Sequence, residues 1–128
     1  MTSEPRSLSP GANEALVRAY FDALRRGAIV DALNAFATDA TLLGEDGRSR
    51  RGIREIAAFF ASRRDPMAIH IDELERSRDS ITARIRVQDA RTGQTRGYRD
   101  VFRLGRHRIR SLSVEPESDG PATTPKAS

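Results

Sequence analysis

The stretch YRDVFRLGRHRIRSLSVEP, residues 98–116, decides the fold. Up to Leu104 it alternates: Tyr98, Asp100, Phe102 and Leu104 share one side, and Arg99, Val101 and Arg103 take the other. A period of two marks a strand buried on one face only. Gly105-Arg106 supplies a turn, so Gln94 to Leu104 and His107 to Glu115 read as two antiparallel strands of one hairpin. Ile109 and Leu112 cannot share a face at strict period two. A bulge near Arg110-Ser111 restores the pattern and returns Leu112 and Val114 to the inner side.

Upstream, Ile69 and Ile71, then Ile81, Ala83, Ile85 and Val87 repeat the alternation, and Thr92-Gly93 is turn chemistry. Arg84, Arg86, Arg99, Arg103, Arg108 and Arg110 fall between the inward positions and are expected on the outer face of the sheet. Nearer the start the period becomes helical. A first helix is expected from Asn13 to Arg26, with Leu16, Val17, Tyr20, Phe21 and Leu24 as its apolar face and Gly27 closing it. A short second helix is expected from Ile29 to Phe36, and a third from Gly52 to Arg64, stopped by Pro66. Between them Ala40 to Leu43 reads as a strand ending at the turn Gly44-Glu45-Asp46-Gly47. Three helices followed by antiparallel strands give an α+β fold, the helices on one face of a curved sheet.

Composition bounds the rest. The chain has 128 residues, one domain's worth, with 38% apolar and 31% charged residues. Residues 1–11 and 117–128 hold almost no large apolar side chains and are expected to be disordered tails around a domain at 12–116. No apolar run approaches the ~20 residues of a membrane span, and the start lacks the apolar core of a secretory signal, so a soluble, cytoplasmic protein without membrane contact is expected. Cysteine is absent and only His70 and His107 are histidines, which argues against disulfides and thiolate or histidine metal sites. No glycine-rich phosphate loop, histidine–glutamate metal motif or serine elbow occurs, so no cofactor is indicated. The net charge of +4 raises nucleic acid as a partner. The basic residues are arginines apart from Lys126, scattered without interleaved stacking aromatics, which argues against that partner.

The order of helix, short helix, FATDATLLGEDG, RGIREIAAFFASR and then YRDVFRLGRHRIRSLSVEP resembles the nuclear transport factor 2-like superfamily, within it the SnoaL-like and ketosteroid isomerase-like proteins. The resemblance covers about Glu14 to Pro116. It implies a cone: a strongly curved antiparallel sheet wrapped by three N-terminal helices, a cystatin-like α+β roll around a pocket. It also implies a homodimer through the outer sheet face. Members include cofactor-independent enzymes acting on small apolar molecules and catalytically silent binding modules. In ketosteroid isomerases an oxyanion hole pairs a tyrosine with a protonated aspartic acid. The resemblance places Tyr20 and Asp100 at those positions, and Gly44 at the position of the usual carboxylate base.

Candidate catalytic residues are therefore Asp100, as a buried acid among Tyr98 and Phe102, Tyr20 as a second donor, and His70 as an acid or base. A carboxylate from the Glu45-Asp46 turn is the other candidate base, although a residue next to Gly44 on a strand points to the opposite face. His107, in the turn, reads as a solvated loop residue. Phe36, Phe60, Tyr98, Phe102, Leu112 and Val114 are the expected substrate-binding wall. The expected function is small-molecule acid–base chemistry of the isomerase, polyketide cyclase, dehydratase or epoxide hydrolase kind. The alternative is a ligand-binding or dimerisation module of the same fold.

Overall fold

The computed structural model describes residues 4–61, 68–90 and 92–117, with side chains from residue 11 onward. Helix α1 spans Glu4–Arg26 and stops at Gly27, whose φ of 71° is open to glycine at little cost. The Gly27 N–H donates to the Leu24 carbonyl at 3.1 Å and the Ala28 N–H to the Ala23 carbonyl at 2.8 Å, so two carbonyls left over by the helix end find donors. Helix α2 is Ile29–Asn34, followed by strands β1, Phe36–Leu43, and β2, Ser49–Arg51, and by helix α3, Ile53–Ala61. Strands β3, Ala68–Arg76, β4, Ser80–Gln88, β5, Thr95–Gly105, and β6, Arg108–Pro116, complete one sheet in the order β2-β1-β6-β5-β4-β3.

The expected antiparallel cone with three N-terminal helices is corrected. Strand β1 runs parallel to β6, with Thr41 to Leu43 beside Ser111 to Ser113, so the sheet is mixed. Strands β2 and β3 are free edges, and the sheet is open instead of curled into a cone. Strands β1 and β2 precede α3, so only two helices lie N-terminal to the sheet. The physical reason is that alternation reports which face a residue takes but not the direction of a strand. The long crossover from β1 to β6, through α3 and the hairpins, is what permits a parallel pair.

Element boundaries differ where side-chain pattern and backbone part company. Helix α1 begins at Glu4, well before Asn13, in turns that carry no apolar stripe; Pro5 falls in its first turn, where a missing N–H has no partner to lose. Phe36, expected at the end of the second helix, opens β1 opposite Ile109, and Val30 of α2 is 71% exposed. Strand β2 was not anticipated, because its Ser-Arg-Arg sequence has no apolar alternation; it is a short, charged edge strand. Residues 62–67, including the expected end of the third helix and Pro66, and the expected tails at 1–3 and 118–128 lie outside the described residues. The bulge falls as expected: Arg103 faces Ser111 and Leu104 faces Ile109, leaving Arg110 unmatched and Leu112 inward and buried.

Helices α1 and α3 cover the inner face of the sheet. Tyr20 is the centre of its aromatic core, with ring centroids 5.2 Å from Phe21, 5.6 Å from Phe36, 6.3 Å from Phe60 and 5.5 Å from Phe102. Each such buried aromatic stabilises the fold by about 1.5–3 kcal/mol through area removed from water. No helix among the described residues is long and apolar enough to cross a membrane.

Candidate active site

Strand β5 sets the chemistry through its parity. Tyr98, Asp100, Phe102 and Leu104 point inward, and Asp100 pairs across the sheet with Ala83 on β4 and Val114 on β6. Asp100 is 4% exposed and is the one buried charged residue among those described. Burial first, and the negative charge of Glu45 second, push its pKa up from 3.8 to about 8, so at neutral pH it is predominantly a neutral acid able to donate a hydrogen bond. Its Oδ1 has no hydrogen-bond partner, the sole such buried side-chain atom among the described residues. Leaving a buried polar atom unpaired costs about 1–3 kcal/mol, which marks the position as one where a ligand group would be satisfied.

Asp100 opens into a cavity of about 110 Å³. Its wall is Tyr20, Phe21 and Leu24 from α1, Phe59 and Phe60 from α3, Ile69, Ile85 and Val87 from β3 and β4, and Tyr98 and Val114 from β5 and β6, with Glu45 completing it. Burial first, and the neighbouring Glu45 carboxylate second, raise the pKa of the half-buried Tyr98 hydroxyl, against the opposing pull of the Arg96 guanidinium. One neutral carboxyl, one carboxylate and two tyrosines thus converge on an otherwise apolar space. Among the described residues no group of His, Cys, Asp and Glu is placed to hold a metal ion.

The candidates identified in the sequence separate cleanly. Asp100 and Tyr20 line the cavity together. His70 does not: it lies on the outer face opposite Arg86, 67% exposed at its side chain, with Nε2 3.4 Å from Asp72 Oδ1. Of the expected wall, Phe60, Tyr98 and Val114 line the cavity, while Phe36, Phe102 and Leu112 lie in the core behind it. His107 is exposed in the turn between β5 and β6, at a φ of 66°.

The turn after β1 explains why Glu45 and not its neighbours reaches the site. A Cβ placed on Gly44 would run into the Arg50 guanidinium and lie 3.0 Å from Asp46 Oδ1, so that position faces the Arg50–Asp46 pair. Arg50 binds both Asp46 oxygens at 3.0 and 3.1 Å and stacks 4.4 Å over the Phe59 ring. That hydrogen bond, with the Arg48 N–H second, holds Asp46 down at about 2. Asp46 is thereby kept as an ion-paired carboxylate away from the cavity. The expectation that a residue beside Gly44 must point away assumed a continuing strand; β1 has already ended at Leu43. Ile69, Ile85, Val87 and Phe59 were not singled out as site residues, although the alternation of β3 and β4 placed the first three on the inner face.

A family described as the SnoaL-like domain matches residues 17–112. No curated protein matches the chain. Among solved structures, an NTF-2 like protein of unknown function from Burkholderia xenovorans superposes with a TM-score of 0.78 at 9% identity, over 89% of each chain. A candidate ketosteroid isomerase from Kribbella flavida gives 0.75 at 15% identity, over 88% of this chain and 84% of that one. A candidate polyketide cyclase from Sinorhizobium meliloti gives 0.69 at 21% identity, over 79% of this chain and 94% of that one. Likeness at these identities carries the fold.

Proposed function

The chain belongs to the SnoaL-like domain family, and from that premise we propose that the Asp100 cavity is a cofactor-independent acid–base site for a small, largely apolar molecule carrying an oxo group. The observation that carries this reading is a neutral, buried carboxyl group with an unpartnered oxygen, facing the same cavity as the Glu45 carboxylate. Glu45 takes a proton from the carbon next to the substrate carbonyl. The C–H electron pair becomes the enol double bond, and the charge arriving on oxygen is met by the Asp100 proton. Where a C=C bond adjoins that carbon the enol is a dienol, and Glu45 returns the proton to the far carbon of that bond while the enol oxygen gives its proton back to Asp100, which moves the double bond into conjugation with no net gain or loss of atoms. Tyr98 positions the Glu45 carboxylate, and Tyr20 walls the cavity.

The test follows α-proton exchange of small methyl ketones in D2O by NMR. Wild type exchanges them catalytically. Glu45→Gln loses about 100- to 10,000-fold, the usual worth of a positioned base. Asp100→Asn, which still donates, retains more activity than Asp100→Ala. Exchange by wild type no faster than by Glu45→Gln refutes catalysis and leaves ligand binding. That second reading is favoured by one observation: Glu45 is solvent-exposed at the cavity edge, where water competes for it.

The outer face fits a homodimer. Leu43, 42% exposed, lies level with Ser113 and Val101 in a seat of small and apolar residues, with Arg99 and Arg103 flanking Val101 along β5. Sedimentation at micromolar concentration is expected to give a dimer mass, and Leu43→Arg a monomer.

A further inference from the structure

We propose that the groove beside the cavity, lined by Arg25, His70, Arg86, Gln88 and Thr95, is an anion subsite that binds the carboxylate or phosphate end of the substrate whose oxo end sits at Asp100; this rests on the acid–base reading of the cavity. The groove has a volume of about 390 Å³. Ile69 lines both spaces. Neighbouring residues divide between them: Leu24 walls the cavity and Arg25 the groove, and on β4 Ile85 and Val87 face the cavity while Arg86 and Gln88 face the groove. The groove therefore runs from Arg25 round the edge strand β3 to the outer face, and it shares Ile69 with the cavity near the start of β3.

Arg25 is the anchor. Its Nε donates to the Ile69 carbonyl at 2.8 Å, which fixes the half-buried guanidinium at the groove wall. Among the described residues no carboxylate pairs with it, whereas Arg86 is held by both oxygens of Asp72. A fixed guanidinium with no carboxylate partner among the described residues suits a two-oxygen anion. The charges also set orientation, since Glu45 repels an anionic end from the cavity while Arg25 attracts it to the groove, where Asp72 already pairs with Arg86.

Register sets the ligand's length. Ile69 pairs with Val87 and Val87 with Arg96, which lies four residues from Asp100 along β5. At the rise of a strand this is about 13 Å. Ile69 stands two strands across from β5 as well, so the substrate class is an oxo compound with its anionic group at least about 13 Å from the carbonyl along an apolar chain.

The probes are 11-oxododecanoate, the neutral keto alcohol 12-hydroxydodecan-2-one, and the phosphate monoester of that alcohol, titrated calorimetrically into the full chain. Wild type is expected to bind the keto acid about tenfold more tightly than the keto alcohol, the worth of one charge-assisted contact at a wet site. Arg25→Gln should bring the acid to the alcohol's affinity without changing that of the alcohol, and Arg25→Lys should keep most of the preference. The acid's affinity in wild type should fall with added salt while the alcohol's does not. Whichever of carboxylate and phosphate binds more tightly identifies the natural anion. Equal affinities for acid and alcohol in wild type, or a preference that survives Arg25→Gln, overturn the subsite and leave the acid–base reading untouched. A preference that follows Arg25 without α-proton exchange in any variant upholds the subsite and removes the acid–base reading.

Discussion

Two faces of the same sheet treat carboxyl groups in opposite ways. Inside, Asp100 has lost its water without gaining a cation, and its pKa rises to about 8. Outside, Asp72 is gripped by the Arg86 guanidinium at 2.8–3.1 Å, and that hydrogen bond pulls its pKa below the ordinary range. Strand parity makes the difference. A single step along β5 from Asp100 reaches Arg99, which faces solvent and sits 3.3 Å from Glu115. Arg84, Arg86, Arg99 and Arg103 of this sheet are outward and paired with carboxylates, and burial and Glu45 alone set the state of Asp100. A carboxyl kept neutral in the interior and carboxylates kept charged on the surface are two products of one alternating pattern.

The comparison breaks most visibly at Asp100. Its folded pKa is raised above the unfolded value, so the folded state holds a proton that the unfolded chain releases between pH 3.8 and about 8. Stability from this group is therefore full below pH 3.8 and declines as pH rises through that window. The decline is on the order of 5 kcal/mol at its limit, since each pKa unit corresponds to about 1.4 kcal/mol. Asp100→Asn keeps the shape without the titration. Its urea midpoint is expected to be nearly flat from pH 5 to 9, while that of the wild type falls. Parallel curves would show that Asp100 is ionised in the fold.

A smaller effect separates the two causes acting on Asp100. Glu45→Gln removes the neighbouring charge and leaves burial in place, so the Asp100 pKa should fall only part of the way from about 8. Carboxyl carbon NMR of the variant reads it directly. A return to the ordinary value would mean that Glu45, and not burial, controls the site. The Tyr98 hydroxyl, which shares Glu45 as a neighbour, should titrate lower in the same variant.

Much of this division was legible in the sequence, and the missing parts have physical reasons. The alternation Tyr98, Asp100, Phe102 located the buried acid, and the mismatch of Ile109 with Leu112 located the bulge at Arg110, because side-chain parity is a local property. The parallel pairing of β1 with β6 was not legible, because direction belongs to the path of the chain. His70, between Ile69 and Ile71, falls by parity on the face opposite to those isoleucines, and it lies there beside Asp72; chemical type suggested a role that geometry does not give it in the cavity. Glu45 lies beyond the end of β1, where period two no longer sets orientation, and only the Arg50–Asp46 pair shows which way the turn goes.

The smallest expected effect lies on the outer face and has the opposite sign. The folded pKa of Asp72 is lowered, by the Arg86 hydrogen bond foremost, so the stability it contributes is present above the unfolded value near 3.8 and is lost as pH falls through the lower, folded one. Asp72 and Arg86 are largely open to water, which screens them and lets the freed guanidinium rehydrate, so the contribution is slight. Asp72→Asn should therefore match the wild type's urea midpoint at pH 7 in moderate salt. At low ionic strength it should be marginally less stable at pH 7, and the gap should close toward pH 2, whereas the gap for Asp100→Asn opens with rising pH. A large loss at neutral pH that persists in high salt would mean that the Arg86–Asp72 pair is buried in the working protein. A second copy covering the outer face would do this, and the mass of the variant in sedimentation would then decide whether the pair holds the two copies together.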